Sequence, residues 1–372
     1  MKLDFNKAQL LSLIDGAIGF AAEKGTMPIL ANFLLQNKDG KFSIVANNTE
    51  LQATVIAELG FEQEFAFTVP AKKLKDSVTA IASDSLSIEL DVTATSGGKA
   101  IVKGGRAKYT LQSLPASHYP VLKRPNDAIS SFTINRAELH AALELVAPAQ
   151  GINDARIFLN ATLFEMKGGE LNIIATDAHR LSKVSLSGEL FTDEFSLIIP
   201  RATVAELIKL SKKSSCELVQ VSVYNNQAVF NIGDIEVISK LIDGTYPDYR
   251  RVIPAANDKD CVLSSKDLLD AVRRVNVIGN DKLNTITFTF EADKVRIRVR
   301  NDNQEVSEDE IAASFNGNAA ITMNYNVRYW LELLPHLAAT NMVIKLFDAQ
   351  RAILLSCDNN KNFQHIIMPL RG

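Results

Sequence analysis

Leu10, Leu139 and Leu268 stand 129 positions apart, each in the same strand-then-helix pattern, and this regularity restricts the fold of the chain more than any other feature. The copies read Leu3-Asp4-Phe5-Asn6-Lys7-Ala8-Gln9-Leu10, Phe132-Thr133-Ile134-Asn135-Arg136-Ala137-Glu138-Leu139 and Val262-Leu263-Ser264-Ser265-Lys266-Asp267-Leu268. In each, alternating apolar residues give way to apolar residues at helical spacing. A polar residue, Asn6, Asn135 or Ser265, falls where a helix N-cap is expected, so that its oxygen can accept a free amide hydrogen bond. A second echo follows in Phe67-Thr68-Val69-Pro70, Leu197-Ile198-Ile199-Pro200 and Ile321-Thr322-Met323-Asn324, with Pro70 and Pro200 placed 130 apart. Proline in the first helical turn has no amide hydrogen to lose, so both prolines mark helix starts. A third echo, Tyr119-Pro120 and Tyr246-Pro247, recurs after 127 positions.

A period this long exceeds the roughly 20–50 residues of solenoid and propeller units, so each copy is a whole domain. Each holds two helices and roughly eight strands, which places the chain in the α+β class as three tandem similar domains. Runs such as Phe42–Ala46, Leu171–Ala175 and Val295–Val299 alternate as half-buried strands do. The polar, proline-bearing stretches Lys123–Asp127 and Pro254–Asp258 read as linkers, giving domains at 1–123, 128–253 and 258–372.

Charge is where the first impression misleads. Forty Lys and Arg against 43 Asp and Glu give −3, a balance unlike that of most proteins that grip nucleic-acid phosphates. The six helical windows nevertheless carry a net +5, which leaves −8 for the strands and loops. A polyanion is therefore attracted to the helical side and repelled elsewhere. No zinc finger or aromatic RNA-stacking pattern is present, so contact is expected with phosphates, without base readout.

Chemistry of its own is hard to find in this sequence. Phosphate-loop, dinucleotide-binding, nucleophile-elbow and zinc-protease patterns are absent, and five scattered histidines make no metal-ligand spacing. Gly97-Gly98 and Gly104-Gly105 flank a short strand as turns. His179, beside Asp177, is the one histidine in a dense polar cluster and the only candidate general base. No catalytic residue, metal or cofactor is assigned. Cys216, Cys261 and Cys357 form no close pair, no run reaches the roughly 18 apolar residues of a membrane span, and the N-terminus has no secretory pattern. A cytoplasmic protein with no membrane partner is expected.

The repeat, together with Ala175-Thr176-Asp177-Ala178-His179-Arg180-Leu181, the stretch from Ser239 to Pro254 and the terminal Met368-Pro369-Leu370-Arg371, closely resembles the bacterial DNA polymerase III beta-subunit, or sliding-clamp, family over the whole chain. The resemblance implies domains with two helices packed on antiparallel sheets. It also implies two chains closing head to tail into a ring around double-stranded DNA, with no enzymatic activity. Closure residues carried over are Tyr109, Val277 and Ile278. A partner pocket for short hydrophobic peptides is implied at Leu159, Thr176, Ala178, His179, Arg180 and Leu181, together with Pro247, Arg251 and Val252. Ile366, Met368, Pro369, Leu370 and Arg371 complete it. Implied partners are the DNA polymerase III alpha subunit, the clamp-loader delta subunit, other polymerases and repair proteins. DNA contacts are expected from Lys24, Lys72, Lys73, Arg156 and Arg201. Two departures stand out. Ala178 occupies a place where glycine is common in the family, and Asn153, Ile157 and Phe158 replace the glutamine and tyrosines of the family's DNA-touching loop. Two other classes compatible with the residues are a DNA-wrapping nuclease or DNA-modifying enzyme and a monomeric scaffold.

Overall fold

The computed structural model describes residues 1–22, 27–93, 97–187, 194–279, 284–337, 340–358 and 360–370. Within them each third of the chain follows one order: a strand, a helix, four strands, a second helix and three strands. The helices are α1 (Lys7–Ala17), α2 (Ala71–Ala80), α3 (Arg136–Val146), α4 (Arg201–Lys213), α5 (Ser265–Val275) and α6 (Val327–Leu333).

Local chemistry explains their starts. The Asn6 side chain accepts from Gln9 N at 3.1 Å, and Asn135 accepts from Ala137 N at 2.9 Å. At α5 the cap is Ser264, which accepts from Asp267 N at 3.2 Å, so the expected cap Ser265 is instead the buried first helical residue. Asn326, two residues after the echoed Asn324, stands immediately before α6 and caps it through Arg328 N at 3.0 Å.

The backbone gathers into two compact units, residues 1–137 with 206–241, and residues 138–205 with 242–372. In the first, one antiparallel sheet runs Phe65–Pro70, Asn32–Lys38, Lys41–Asn47, Leu51–Ala57, Ile235–Lys240, Gln227–Ile232, Leu218–Val223 and Ser130–Asn135. A smaller sheet holds Lys2–Asn6, Ser85–Thr93, Gly97–Gly104 and Ala107–Ser113. A chain of edge-to-face rings, Phe5, Phe42 and Phe61, fills part of this core at 5.5–5.8 Å.

In the second unit a single twelve-stranded sheet begins Phe195–Pro200, Ala161–Lys167, Glu170–Thr176 and Arg180–Ser187. It continues through Asn360–Ile367, Ile353–Cys357, Asn341–Leu346 and Lys259–Ser264, and ends with Val306–Phe315, Lys294–Arg300, Thr285–Phe290 and Ile321–Asn326. Lys294–Arg300 shows why sequence alternation translates into a face: Val295, Ile297 and Val299 are buried while Arg296, Arg298 and Arg300 are exposed. Fully buried Trp330 from α6 packs on Phe288 at 4.7 Å and Tyr325 at 5.6 Å.

One joint is used in both units. The fourth strand of a repeat pairs antiparallel with the eighth strand of the next: Leu51–Ala57 with Ile235–Lys240, and Arg180–Ser187 with Asn360–Ile367. Two strands of the same kinds keep an open edge among the described residues. Ala107–Ser113, eighth in the first repeat, pairs on one side only. Val306–Phe315, fourth in the third repeat, pairs along its length with Lys294–Arg300 but meets a second neighbour only through residues 313–315.

Candidate functional site

The second unit carries a cleft of about 240 Å³ between the 176–181 hairpin turn, the 247–252 segment and the end of the last strand. The turn is knit by its own short polar side chains. Thr176 Oγ1 donates to Arg180 O at 2.7 Å and accepts from Ala178 N at 3.1 Å. Asp177 Oδ1 accepts from His179 N at 2.9 Å and Arg180 N at 3.0 Å. These bonds hold Ala178 at φ +74°, a left-handed conformation that disfavours any Cβ. Glycine suits this position for that reason.

Arg180 is 6% exposed, and two carboxylates compensate its buried charge: Asp177 Oδ2 at 3.0 Å from Nε and Glu332 Oε2 at 2.6 Å from Nη2. Its guanidinium lies 4.3 Å from the centre of the Tyr329 ring. The chain's end is tied beside the turn by Met368 N donating to His179 O at 2.9 Å and Leu370 N to Asn324 O at 2.8 Å. Opposite, a short 3₁₀ turn at Tyr249–Val252 is anchored away from the cleft. Tyr249 Oη donates to Glu165 Oε2 at 2.8 Å, and Arg250 donates to the same oxygen. Burial pushes the Glu165 carboxyl up, but those two donors hold it below its ordinary value.

The cleft brings together Leu159, Thr176, Ala178, His179, Arg180, Leu181, Pro247, Val252, Ile366 and Met368, all expected from the sequence. Beneath them Leu163, Ile174, Tyr246, Leu354 and Ile366 form one apolar core. Arg251 lies off the wall, exposed and paired with Asp248 at 3.1 Å. Pro369 and Leu370 lie beyond Met368 and off the wall as well, with Leu370 exposed. Arg371 and Lys24 fall outside the described residues.

Sequence reasoning missed Phe158, Asp248 and Tyr249 on this wall, and Arg156, expected to meet DNA, lines the cleft as well. The available signal was adjacency to Leu159 and Pro247. The Arg156 guanidinium is paired with Asp154 at 2.9 Å, and that hydrogen bond holds the Asp154 carboxyl down at about 2. Arg201 is likewise engaged, donating to Gln150 O at 3.2 Å and Gly151 O at 3.4 Å. Lys72 and Lys73, exposed on α2, make no ion pair among the described residues. Tyr109 lies on the open-edged strand Ala107–Ser113. Val277, 81% exposed, and Ile278 follow α5, where Ile278 O accepts from Asn301 at the end of the 294–300 strand. His179 meets no convergent ligand set, since among the described residues no three His, Cys, Asp or Glu side chains could hold a metal.

Three family profiles cover the chain in order: the N-terminal domain of the DNA polymerase III beta subunit at residues 1–123, its central domain at 133–248 and its C-terminal domain at 250–371. The chain belongs to the DNA polymerase III beta-subunit family. This clamp-family chain is 29% identical to the beta sliding clamps of Salmonella typhimurium and Escherichia coli K12, with all of each chain covered. It is also similar to the solved beta subunit of Pseudomonas aeruginosa (27% identity, TM-score 0.91) and to a Bartonella birtlesii sliding clamp bound to griselimycin (28%, 0.92), again over both full chains. Its three tandem domains are clamp domains, and its function is that of a sliding clamp, a non-catalytic processivity factor for a DNA polymerase. The enzyme alternative has no support in these relationships. No helix among the described residues is long and apolar enough to cross a membrane.

Proposed function

We propose that two copies of this chain, each with clamp domains at 1–123, 128–253 and 258–372, close head to tail around duplex DNA in the cytoplasm, and that the cleft is their docking site. The observation that carries the closure is the repeated joint. Two of three possible pairings between a fourth and an eighth strand are made within the chain, and the strands for the third, Val306–Phe315 and Ala107–Ser113, keep open edges among the described residues. An exposed edge is a template for another chain, and a heterologous contact that closes makes a ring. Arg106 and Lys108 lie at one edge and Glu308, Asp309 and Glu310 along the other, the three acids being partly neutralised by Arg298, Arg274 and Lys294, so the open edges carry the match and charge adds only to its sense. Tyr109, Val277 and Ile278 supply apolar surface to the same contact.

Lys72 and Lys73 face phosphates in this reading, while Arg156 and Arg201 act mainly by shaping the loop beside the cleft. The cleft takes short apolar peptides from the polymerase alpha subunit, the clamp-loader delta subunit and other polymerases and repair proteins. Its apolar walls and adaptable Met368 suit varied ligands. The decisive experiment follows loaded protein on DNA: release from linear molecules with free ends should be far faster than from closed circles, and equal retention would refute encirclement. Deleting residues 368–371 should abolish peptide binding while sedimentation still reports a dimer.

A further inference from the structure

The first unit contains a copy of the cleft's framework, and there it is shut. Strand register fixes the equivalence, since Leu51 faces Ser239 as Arg180 faces Ile367. Lys240 N donates to Glu50 O at 2.9 Å, as Met368 N does to His179 O. Thr49 at φ +77° matches Ala178 at φ +74°. Tyr119-Pro120 enters this junction as Tyr246-Pro247 enters the cleft.

The difference lies at two positions. Where the open cleft has Thr176 and Leu181, the first unit has Asn47 and Gln52, which are 1% and 2% exposed. Asn47 Nδ2 donates to Pro120 O at 2.6 Å. Gln52 Oε1 accepts from Leu122 N at 2.8 Å, and its Nε2 donates to Leu122 O at 3.3 Å. Leu122 packs onto Tyr224, Val229 and Ile238, the last two being the register equivalents of Leu354 and Ile366 under the cleft, where its counterpart Tyr249 joins the same core, so the two junctions share this packing and differ in the polar lock. In the second unit Thr176 turns its hydroxyl to its own hairpin and Leu181 has no polar atom to offer, so the 247–252 segment is held from its far side by Glu165.

We propose that the junction of the first and second repeats is a latent second docking cleft for apolar peptides, occupied by the chain's own Pro120–Leu122 segment and locked by Asn47 and Gln52. An incoming apolar peptide that displaced this segment would strand buried amide groups, a cost that disfavours exchange. These two side chains thereby limit each chain to one docking site. The proposal rests on the docking reading above.

The test is a calorimetric titration with griselimycin, the ligand in the solved Pseudomonas and Bartonella clamps. The wild type should bind one molecule per chain, and the double variant Asn47→Thr, Gln52→Leu should bind two, the second more weakly. A folded double variant that still binds one overturns the proposal. Failure of the wild type to bind at all overturns the docking reading itself, a separate result. Should the double variant lose its cooperative melt, Gln52→Met is measured by hydrogen exchange. The Leu122 amide is expected to exchange at least about tenfold faster, as for loss of one buried hydrogen bond, and an unchanged rate would overturn the lock.

Discussion

A single methyl group at position 178 sets two requirements against each other. Ala178 is held left-handed at φ +74° by the Asp177 and Thr176 hydrogen bonds, which costs an L-residue about 1–2 kcal/mol, whereas glycine would cost about 0.4–1 kcal/mol in unfolded-chain entropy. Ala178→Gly should therefore raise stability by about 0–1.6 kcal/mol on these figures. Denaturant unfolding checks it, and a clear loss of stability would sink the argument. His365 gives a second residue-scale prediction. It is fully buried against Ser182, with its ring 2.6 Å from that hydroxyl, and burial, aided by the Arg180 charge, pushes its pKa down to about 3. The unfolded chain then binds one more proton than the folded chain between the ordinary histidine value and about 3. Stability contributed by neutral His365 is thus whole above the ordinary value and falls as pH drops through that window, by at most about 1.4 kcal/mol per pH unit. His365→Gln should flatten the acid limb in unfolding curves from pH 6.5 to 4, and parallel curves for the two proteins would exclude this role. At this scale the sequence pointed to the hairpin that lines the cleft, because Thr176, Asp177 and Arg180 sit close together along the chain. It could not show that Arg180 reaches Glu332, 152 positions away.

Loops and linkers decide where the elements leave space. Arg201 opens α4, and its guanidinium caps the carbonyls of Gln150 and Gly151. Asn160 clasps Asp154 through N at 2.9 Å and O at 2.8 Å, closing the 151–158 loop whose Phe158 lines the cleft. Arg201→Ala should therefore weaken griselimycin binding about three- to tenfold, equivalent to losing one charge-assisted hydrogen bond in part. If affinity for DNA fell instead and cleft affinity held, Arg201 would belong to the phosphates. Helices and strands were legible because capping side chains and alternation are local signals, as Asn6 and Lys294–Arg300 show. The intrachain partners of Arg156 and Arg201 were not, since a basic residue on a helix or loop looks the same in sequence whatever it meets. Nor was the contrast between Gln52 and Leu181 visible, because both occupy the same strand position and differ only in what the linker meets.

Across the whole molecule the helical surplus of charge is partly consumed internally. Lys75 and Lys213 share Asp15, Lys209 pairs with Glu206, and Arg274 pairs with Asp309. Lys72, Lys73, Lys212 and Arg273 are exposed and make no ion pair among the described residues. Replacing Lys72 and Lys73 together by alanine should lower the salt slope of DNA binding by about 1.8, at about 0.9 per phosphate contact; an unaltered slope removes both from the interface. For closure, reversing Glu308 and Glu310 to lysine should shift sedimentation toward monomer, and Arg106→Glu with Lys108→Glu on the same chain should restore dimer. Failure of that rescue would mean the edges do not meet. The threefold repeat announced three domains from sequence alone, but which strands join them is a matter of partners, and alternation reports only faces.

The recurrent strand joint also fixes where such an assembly gives way. In the proposed ring, two of its three uses would be tethered by short covalent linkers, so their broken ends would face each other at an effective concentration on the order of millimolar. The third has no tether, and its re-formation depends on how many other chains are nearby. In that ring, dilution or mechanical force would therefore separate joints of similar architecture unequally, the untethered one first.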